Sequence, residues 1–221
     1  MRRPLAAATV VAVFGGAALA GQEAPSERLP TVPGGVPVVV LPVQSAIPAP
    51  GGAWVGGTGS GRGTIELLDA ELAFAFGEEK GAGDWALGPA IETRLARNPV
   101  IGVDPRRLAY HGLLEAPAPS RQLYEPLHTQ LRQVAALFGA RVAVLPLSVS
   151  YREPEQGESS AARAAGVSVA TGRAVLLVAV IDVRRSAVLW HGTIEGSAAD
   201  AASPTALTTL ALRVADQLAP S

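Results

Sequence analysis

Val36-Pro-Val-Val-Val-Leu-Pro-Val43 is an uncharged, almost wholly apolar stretch in a chain of 221 residues. A run so short and continuous reads as a β-strand buried on both faces, because a strand with one wet face alternates apolar with polar residues. Arg141-Val-Ala-Val-Leu-Pro-Leu-Ser-Val-Ser-Tyr151 is a second such stretch, apolar almost throughout Val142 to Val149. Both carry Leu-Pro, at Leu41-Pro42 and Leu145-Pro146. Proline cannot donate to a ladder, so each is expected at a strand end, a bulge or an edge. One echo of this kind does not make a repeat architecture.

Outward from these strands, Ser45 to Gly63 is a loop rich in glycine and proline, with Trp54 inside it. Leu72, Phe74 and Phe76 alternate with Ala73 and Ala75, which predicts a strand over Glu71 to Phe76. A short first helix follows, with Pro89 in its first turn and Leu87, Ile91 and Leu95 at a spacing of four; Asn98-Pro99 stops it. Arg106 to Leu114 is read as a short strand. The second helix begins near Tyr124, with Pro126 in its first turn, a stripe of Leu127, Leu131, Val134, Ala135 and Phe138, and Gly139 as its left-handed cap.

Arg152 to Gly172 is a polar loop of small residues, expected to be mobile. Arg173 to Val183 and Ala187 to Gly196 read as two strands joined by a turn at Asp182 to Ser186. The last helix has Ser203 as N-cap and Pro204 at its first position, with Leu207, Leu210, Ala211, Val214 and Leu218 on its buried face. The expected fold is α/β (α+β), a single domain over residues 36–219. It has a mixed central sheet of five or six strands, three helices covering one or both faces, and a late antiparallel hairpin followed by a C-terminal helix.

Val38-Val-Val-Leu-Pro-Val43 and the hairpin Val180-Ile-Asp-Val-Arg-Arg-Ser-Ala-Val-Leu-Trp190 together resemble a family of small α/β domains in bacterial envelope proteins. It includes the N-terminal domain of the translocation protein TolB, the penicillin-binding-protein activator LpoB and the curli-assembly protein CsgG. The resemblance spans roughly Val36 to Leu218. It implies a non-enzymatic domain that docks on other envelope proteins. The hairpin turn of that family usually carries glycine, where this chain has Ser186. Two further departures are the missing lipoprotein cysteine and the length of the 51–63 and 153–172 segments.

The N-terminus predicts export. Arg2 and Arg3 precede the uncharged apolar run Leu5 to Ala18, and Ala18-Leu19-Ala20 has the small-x-small form read by signal peptidase. Cleavage is expected between Ala20 and Gly21, which makes residues 1–20 a signal peptide; retention as an N-terminal anchor is the alternative. Pro4 and Leu5 follow the arginine pair in place of a twin-arginine motif, which favours the general secretory route. Gly21 to Gly35 is polar and proline-punctuated and reads as a flexible tether.

The chain has no cysteine, so neither a lipid anchor nor a disulfide is expected, and stability must come from an apolar core. Loss of residues 1–20 leaves 201 residues with 16 basic against 19 acidic side chains. That balance argues against nucleic-acid binding and gives no reason for adhesion to anionic lipid. No later segment is long enough for stable membrane insertion of the mature chain. The expected localisation is periplasmic or secreted.

No catalytic or metal-binding constellation emerges from the residue pattern. Gly56-Gly-Thr-Gly-Ser-Gly-Arg-Gly63 lacks the lysine of a phosphate loop, has no strand immediately before it, and Thr64-Ile65 opens no clear helix. Ser60 is not a nucleophile elbow, because Thr58 stands two residues before it. His111, His128 and His191 lie on different elements without zinc spacing and are expected to be solvated or locally bonded. Glu78, Glu79, Lys80 and Asp84 read as a solvated turn, and Asp182 before Arg184-Arg185 as turn chemistry.

Arg94, Arg97, Arg106 and Arg107 form the densest basic stretch, read as a solvated helix end over an anion or partner patch. Trp54 is either a partner anchor or folded back onto the domain. The function expected is an exported, non-enzymatic envelope accessory or interaction module without cofactor, whose partner is another envelope protein. The alternatives are a small periplasmic hydrolase with a site assembled from scattered residues, or a binder of an envelope ligand.

Overall fold

The computed structural model describes residues 35–48, 61–78, 85–115, 122–153 and 172–218. The signal segment, almost all of the tether, Trp54, and most of the 45–63 and 152–172 loops lie outside the described residues.

The elements are β1 (Val38–Val40), α1 (Gly61–Glu78), β2 (Trp85–Ala86), α2 (Gly88–Ala96), α3 (Leu127–Leu137), β3 (Val142–Arg152), β4 (Gly172–Asp182), β5 (Ala187–Ala199) and α4 (Pro204–Leu218). Short 3-10 turns sit at Pro99–Ile101 and Tyr110–Leu113. The strand order is β2-β1-β3-β4-β5. β1 runs parallel to both neighbours, and β3, β4 and β5 form an antiparallel meander. Parallel neighbours need crossover connections, and here α1 makes one and the α2–α3 segment the other.

The continuous apolar character of β1 has a direct cause. Val38 and Val40 pack into a core with α1 and α4, while Val39 and Leu41 pack into a second core with α2 and α3. Helices therefore cover both faces of the sheet, and each side chain of the strand is dry. Backbone pairing to β3 continues past β1: Gln44 N donates to the Pro146 carbonyl (3.1 Å) and Ile47 N to that of Val149 (2.8 Å).

Pro146 stands at a bulge of β3, where the register against β4 shifts between Pro146 and Ser148. The extra residue exchanges the faces of the strand. Leu145 and Leu147 belong to the α2–α3 core, whereas Val149 and Tyr151 pack on the α1–α4 side. Pro42 lies just beyond the end of β1. The two prolines thus fall just past a strand end and at a bulge, where sheets tolerate them.

Three local expectations are corrected. Glu71 to Phe76 is not a strand but the second half of α1. Leu68, Leu72, Ala75 and Phe76 are its buried apolar residues, at helical spacing, and Phe74 points outward at 62% exposure. The apparent alternation came from alanines, which suit a helix at least as well as a strand. The described residues consequently hold four α-helices, and a helix does open at the glycine run, from Gly61.

The second correction concerns Arg106 to Leu114, which forms turns and no strand. Two of its backbone donors go to distant side chains, Leu108 N to Gln44 Oε1 (3.1 Å) and Ala109 N to Gln130 Oε1 (2.9 Å), while others close local turns. Third, Trp85–Ala86 adds a two-residue strand that the sequence did not announce.

The C-terminal half follows its local signals closely. Ser203 Oγ accepts from Thr205 N at 3.3 Å, and the five apolar residues expected on the buried face of α4 are all buried. Gly196 of β5 lets α4 come close, since a Cβ there would lie 3.0 Å from Leu210 N. Gly139 ends α3 at φ +63°, and Ser186 in the hairpin turn has φ +54°, the left-handed conformation that glycine takes in related turns.

Asp182 organises that turn. Its Oδ1 accepts from Arg184 N and Arg185 N, both at 3.0 Å, and its Oδ2 accepts from Arg141 Nε (3.0 Å) and Nη2 (2.9 Å). Burial pushes this carboxyl up, but Arg141 and the two N–H groups outweigh burial and hold it below the usual range. Asp182→Ala should cost about 2–3 kcal/mol at neutral pH, because charged hydrogen bonds are lost. A depressed native pKa contributes stability above the ordinary carboxylate value, and that stability is lost as pH falls through the native value. The gap between wild type and variant in urea melts should therefore close below about pH 4.

Candidate functional site

Beyond the end of β1, four segments bring polar side chains together. Asp69 comes from α1 on one side of the sheet and Glu92 from α2 on the other. Gln44 follows β1 directly, and Arg106 lies in the α2–α3 connection. In an open sheet with parallel strands, this region outside the strand ends is where ligand sites form.

Asp69 is 8% exposed, on a helix whose buried side chains are mostly apolar. Its Oδ1 accepts from Val43 N (2.9 Å) and its Oδ2 from Arg106 Nη1 (2.8 Å). Arg106 Nε lies 2.6 Å from Glu92 Oε1, a charge contact that is not aligned as a hydrogen bond. One guanidinium thus joins two carboxylates from helices on opposite faces of the sheet. Burial dominates at Asp69 and raises its carboxyl above the ordinary range, against the opposing pull of the Val43 N–H and Arg106.

Gln44 completes the junction. Its Nε2 donates to the carbonyls of Pro42 (2.7 Å) and Pro105 (2.9 Å), and its Oε1 accepts from Leu108 N. An open cleft of about 460 Å³ runs beside it, lined by Glu92, Leu95, Asn98, Asp104 and Arg106 among others. Asp69, Gln44 and Arg106 are engaged by other parts of the same fold, while Glu92 meets Arg106 through Oε1 and also lines the cleft. The chemistry of Asp69, Gln44 and Arg106 is that of a fastening between layers.

The arginine group of the sequence is dispersed. Arg94 covers the Phe138 ring at 4.9 Å, Arg106 is the fastener, and Arg107 lies 3.8 Å from Asp104. The histidines make separate local contacts: His111 stacks on Tyr110 with centroids 4.7 Å apart, and His191 Nε2 lies 2.6 Å from the Leu113 carbonyl. His128 Nδ1 is 3.4 Å from Glu125 Oε1. No group of metal-ligating side chains occurs among the described residues. Ala20, Gly21, Trp54, Glu79, Lys80 and Asp84 lie outside them.

Sequence reasoning missed Asp69 and Gln44, because a helix had not been assigned around Asp69 and both act through contacts distant in the chain. It also missed the surface around Arg132 and Arg184. There an open cleft of about 480 Å³ lies between α3 and the β4–β5 turn, with Ala135, Ala136, Ala140 and Val183 as its apolar floor.

No family model matches the chain, and no curated protein matches it. Among solved structures, it is similar to the PelC dodecamer from Paraburkholderia phytofirmans at 14% identity and a TM-score of 0.36, covering 87% of this chain and 94% of that one. It is also similar to the C-terminal domain of LpoB. For LpoB from Escherichia coli the identity is 14% and the TM-score 0.37, with 75% of this chain and 85% of that chain covered. For the Salmonella enterica domain the values are 12%, 0.35, 76% and 85%. The likeness to LpoB is one of fold alone, and it is weak.

Proposed function

We propose that this chain is an exported, non-enzymatic accessory or interaction module of the cell envelope, cut between Ala20 and Gly21 and joined to its tether at residues 21–35. The mature domain, residues 36–219, works in the periplasm or beyond, without a lipid and without a cofactor. Its partner is another envelope protein. The wider kinship with the TolB and CsgG domains belongs to the same proposal. In its support, no helix among the described residues is long and apolar enough to cross a membrane.

The observation that carries the reading is the polar junction beyond β1. Where a sheet of this kind most readily hosts chemistry, Asp69, Arg106 and Gln44 are spent on holding helix and loop to the strand end, and Glu92 meets the same Arg106. A catalytic acid or base needs a free face towards substrate as well as a shifted pKa. Asp69 has the shift, but its oxygens face Val43 N and Arg106.

The test is chemical cross-linking in intact envelopes, followed by purification of the tagged mature protein. A reproducible adduct with a single envelope protein is expected, together with an N-terminus at Gly21. Recovery of free monomer alone, with turnover on a panel of esters and glycans, would sink the proposal.

A further inference from the structure

We infer that the cleft between α3 and the β4–β5 turn is the docking site for an acidic segment of the partner protein, one that alternates carboxylates with apolar side chains. The inference rests on the interaction-module reading and names the surface and the partner chemistry. The cleft has an apolar floor of alanines and Val183, of a size to take one or two aliphatic side chains. Arg132 and Arg184 stand on its rim. Both are exposed, and neither side chain has a hydrogen bond or ion pair among the described residues.

The charge around this cleft is unbalanced. Arg141, Arg184 and Arg185 cluster at the turn and Arg132 faces them from α3, yet the carboxylate that pairs with this set is Asp182, which is buried and bound to Arg141. The whole chain is nearly neutral, at −1, so a local excess of cations is a property of this place. The dipole of α3 does not explain it, because the last turn of that helix carries no basic residue. Free guanidiniums from α3 and from the β4–β5 turn, on one cleft, suit forked carboxylate recognition, and the apolar floor suits an apolar anchor.

Anisotropy of a labelled peptide of alternating glutamate and leucine, titrated with the purified mature protein at low and at moderate salt, tests this. Saturable binding that weakens with salt is expected. It should fall about tenfold or more in the R132E/R184E double variant, whose thermal midpoint stays that of wild type because neither side chain has a partner to lose. A milder R132Q/R184Q pair should fall in between. Equal binding of the glutamine–leucine peptide, binding untouched by either double variant, or stronger binding to phosphatidylglycerol vesicles than to the peptide overturns the inference. Cross-linking separates the two proposals. A partner adduct undiminished in R132E/R184E removes the cleft and leaves the module reading standing. Peptide binding as expected, with only monomer recovered from envelopes, removes the module reading instead.

Discussion

Arg106→Leu should lower the unfolding free energy by about 3 kcal/mol at neutral pH, near the low end for removing one partner of a buried ion pair. Arg106 is the only side chain that the described residues place against both Asp69 and Glu92. Its loss strands a carboxylate that is 8% exposed. The cost stays at the low end because Asp69 keeps the Val43 N–H and is already shifted towards the neutral form.

The sign of the pH dependence follows. A raised native pKa means that the folded state holds the proton more readily than the unfolded one, so this group adds stability as pH falls. Without Arg106 the Asp69 carboxyl rises further, and the deficit of the variant should be largest above its pKa and shrink in acid. Urea melts of both proteins between about pH 4 and 8 would show it. The double variant Asp69→Asn/Arg106→Leu should regain part of the loss, since the amide carbonyl can still accept from Val43 N without a charge to compensate. A constant deficit across that range, or no recovery in the double variant, would mean that packing of the arginine stem accounts for the effect.

Leu145→Ala should cost about 2–5 kcal/mol, in the upper half of that range. Leu145 is fully buried in β3, the strand that pairs with both β1 and β4, and it packs into the α2–α3 core. The bulge that follows it fixes which face each later residue takes, so the backbone there has little freedom to close over a cavity. Leu189→Ala is the control: at 44% exposure on the edge strand it should cost well under about 1 kcal/mol. Equal losses from the two substitutions would show that β3 is not the centre of the core.

The legible part of the fold was the part written in local signals. The two Leu-Pro strands, the Asp182 turn and α4 with its Ser203 cap all depend on residues within a few positions of one another. α1 was misread because Ala73 and Ala75 satisfy strand alternation and helix propensity alike, and the choice is made by what covers Leu68, Leu72 and Phe76. The Arg106–Leu114 stretch was misread because Leu108 N and Ala109 N are claimed by Gln44 and Gln130, which sequence periodicity does not register. At the candidate site, Arg106 was legible as a cation and illegible as a fastener, and Arg132 and Arg184, which no motif singled out, are unpaired among the described residues.

By itself the sequence determined that β1 and β3 are buried strands, that the chain ends in a meander and a capped helix, and that no cysteine chemistry supports them. The apolar runs permit no wet face, and caps and turns act over a few bonds. Only the tertiary structure decided which helix lies on which face, where the bulge exchanges the two cores, and which charges are spent. Asp69 and Arg106 are 37 residues apart, and Arg141 and Asp182 are 41 apart. Whether such a pair forms depends on how the layers pack around the sheet, and local propensity carries no record of that.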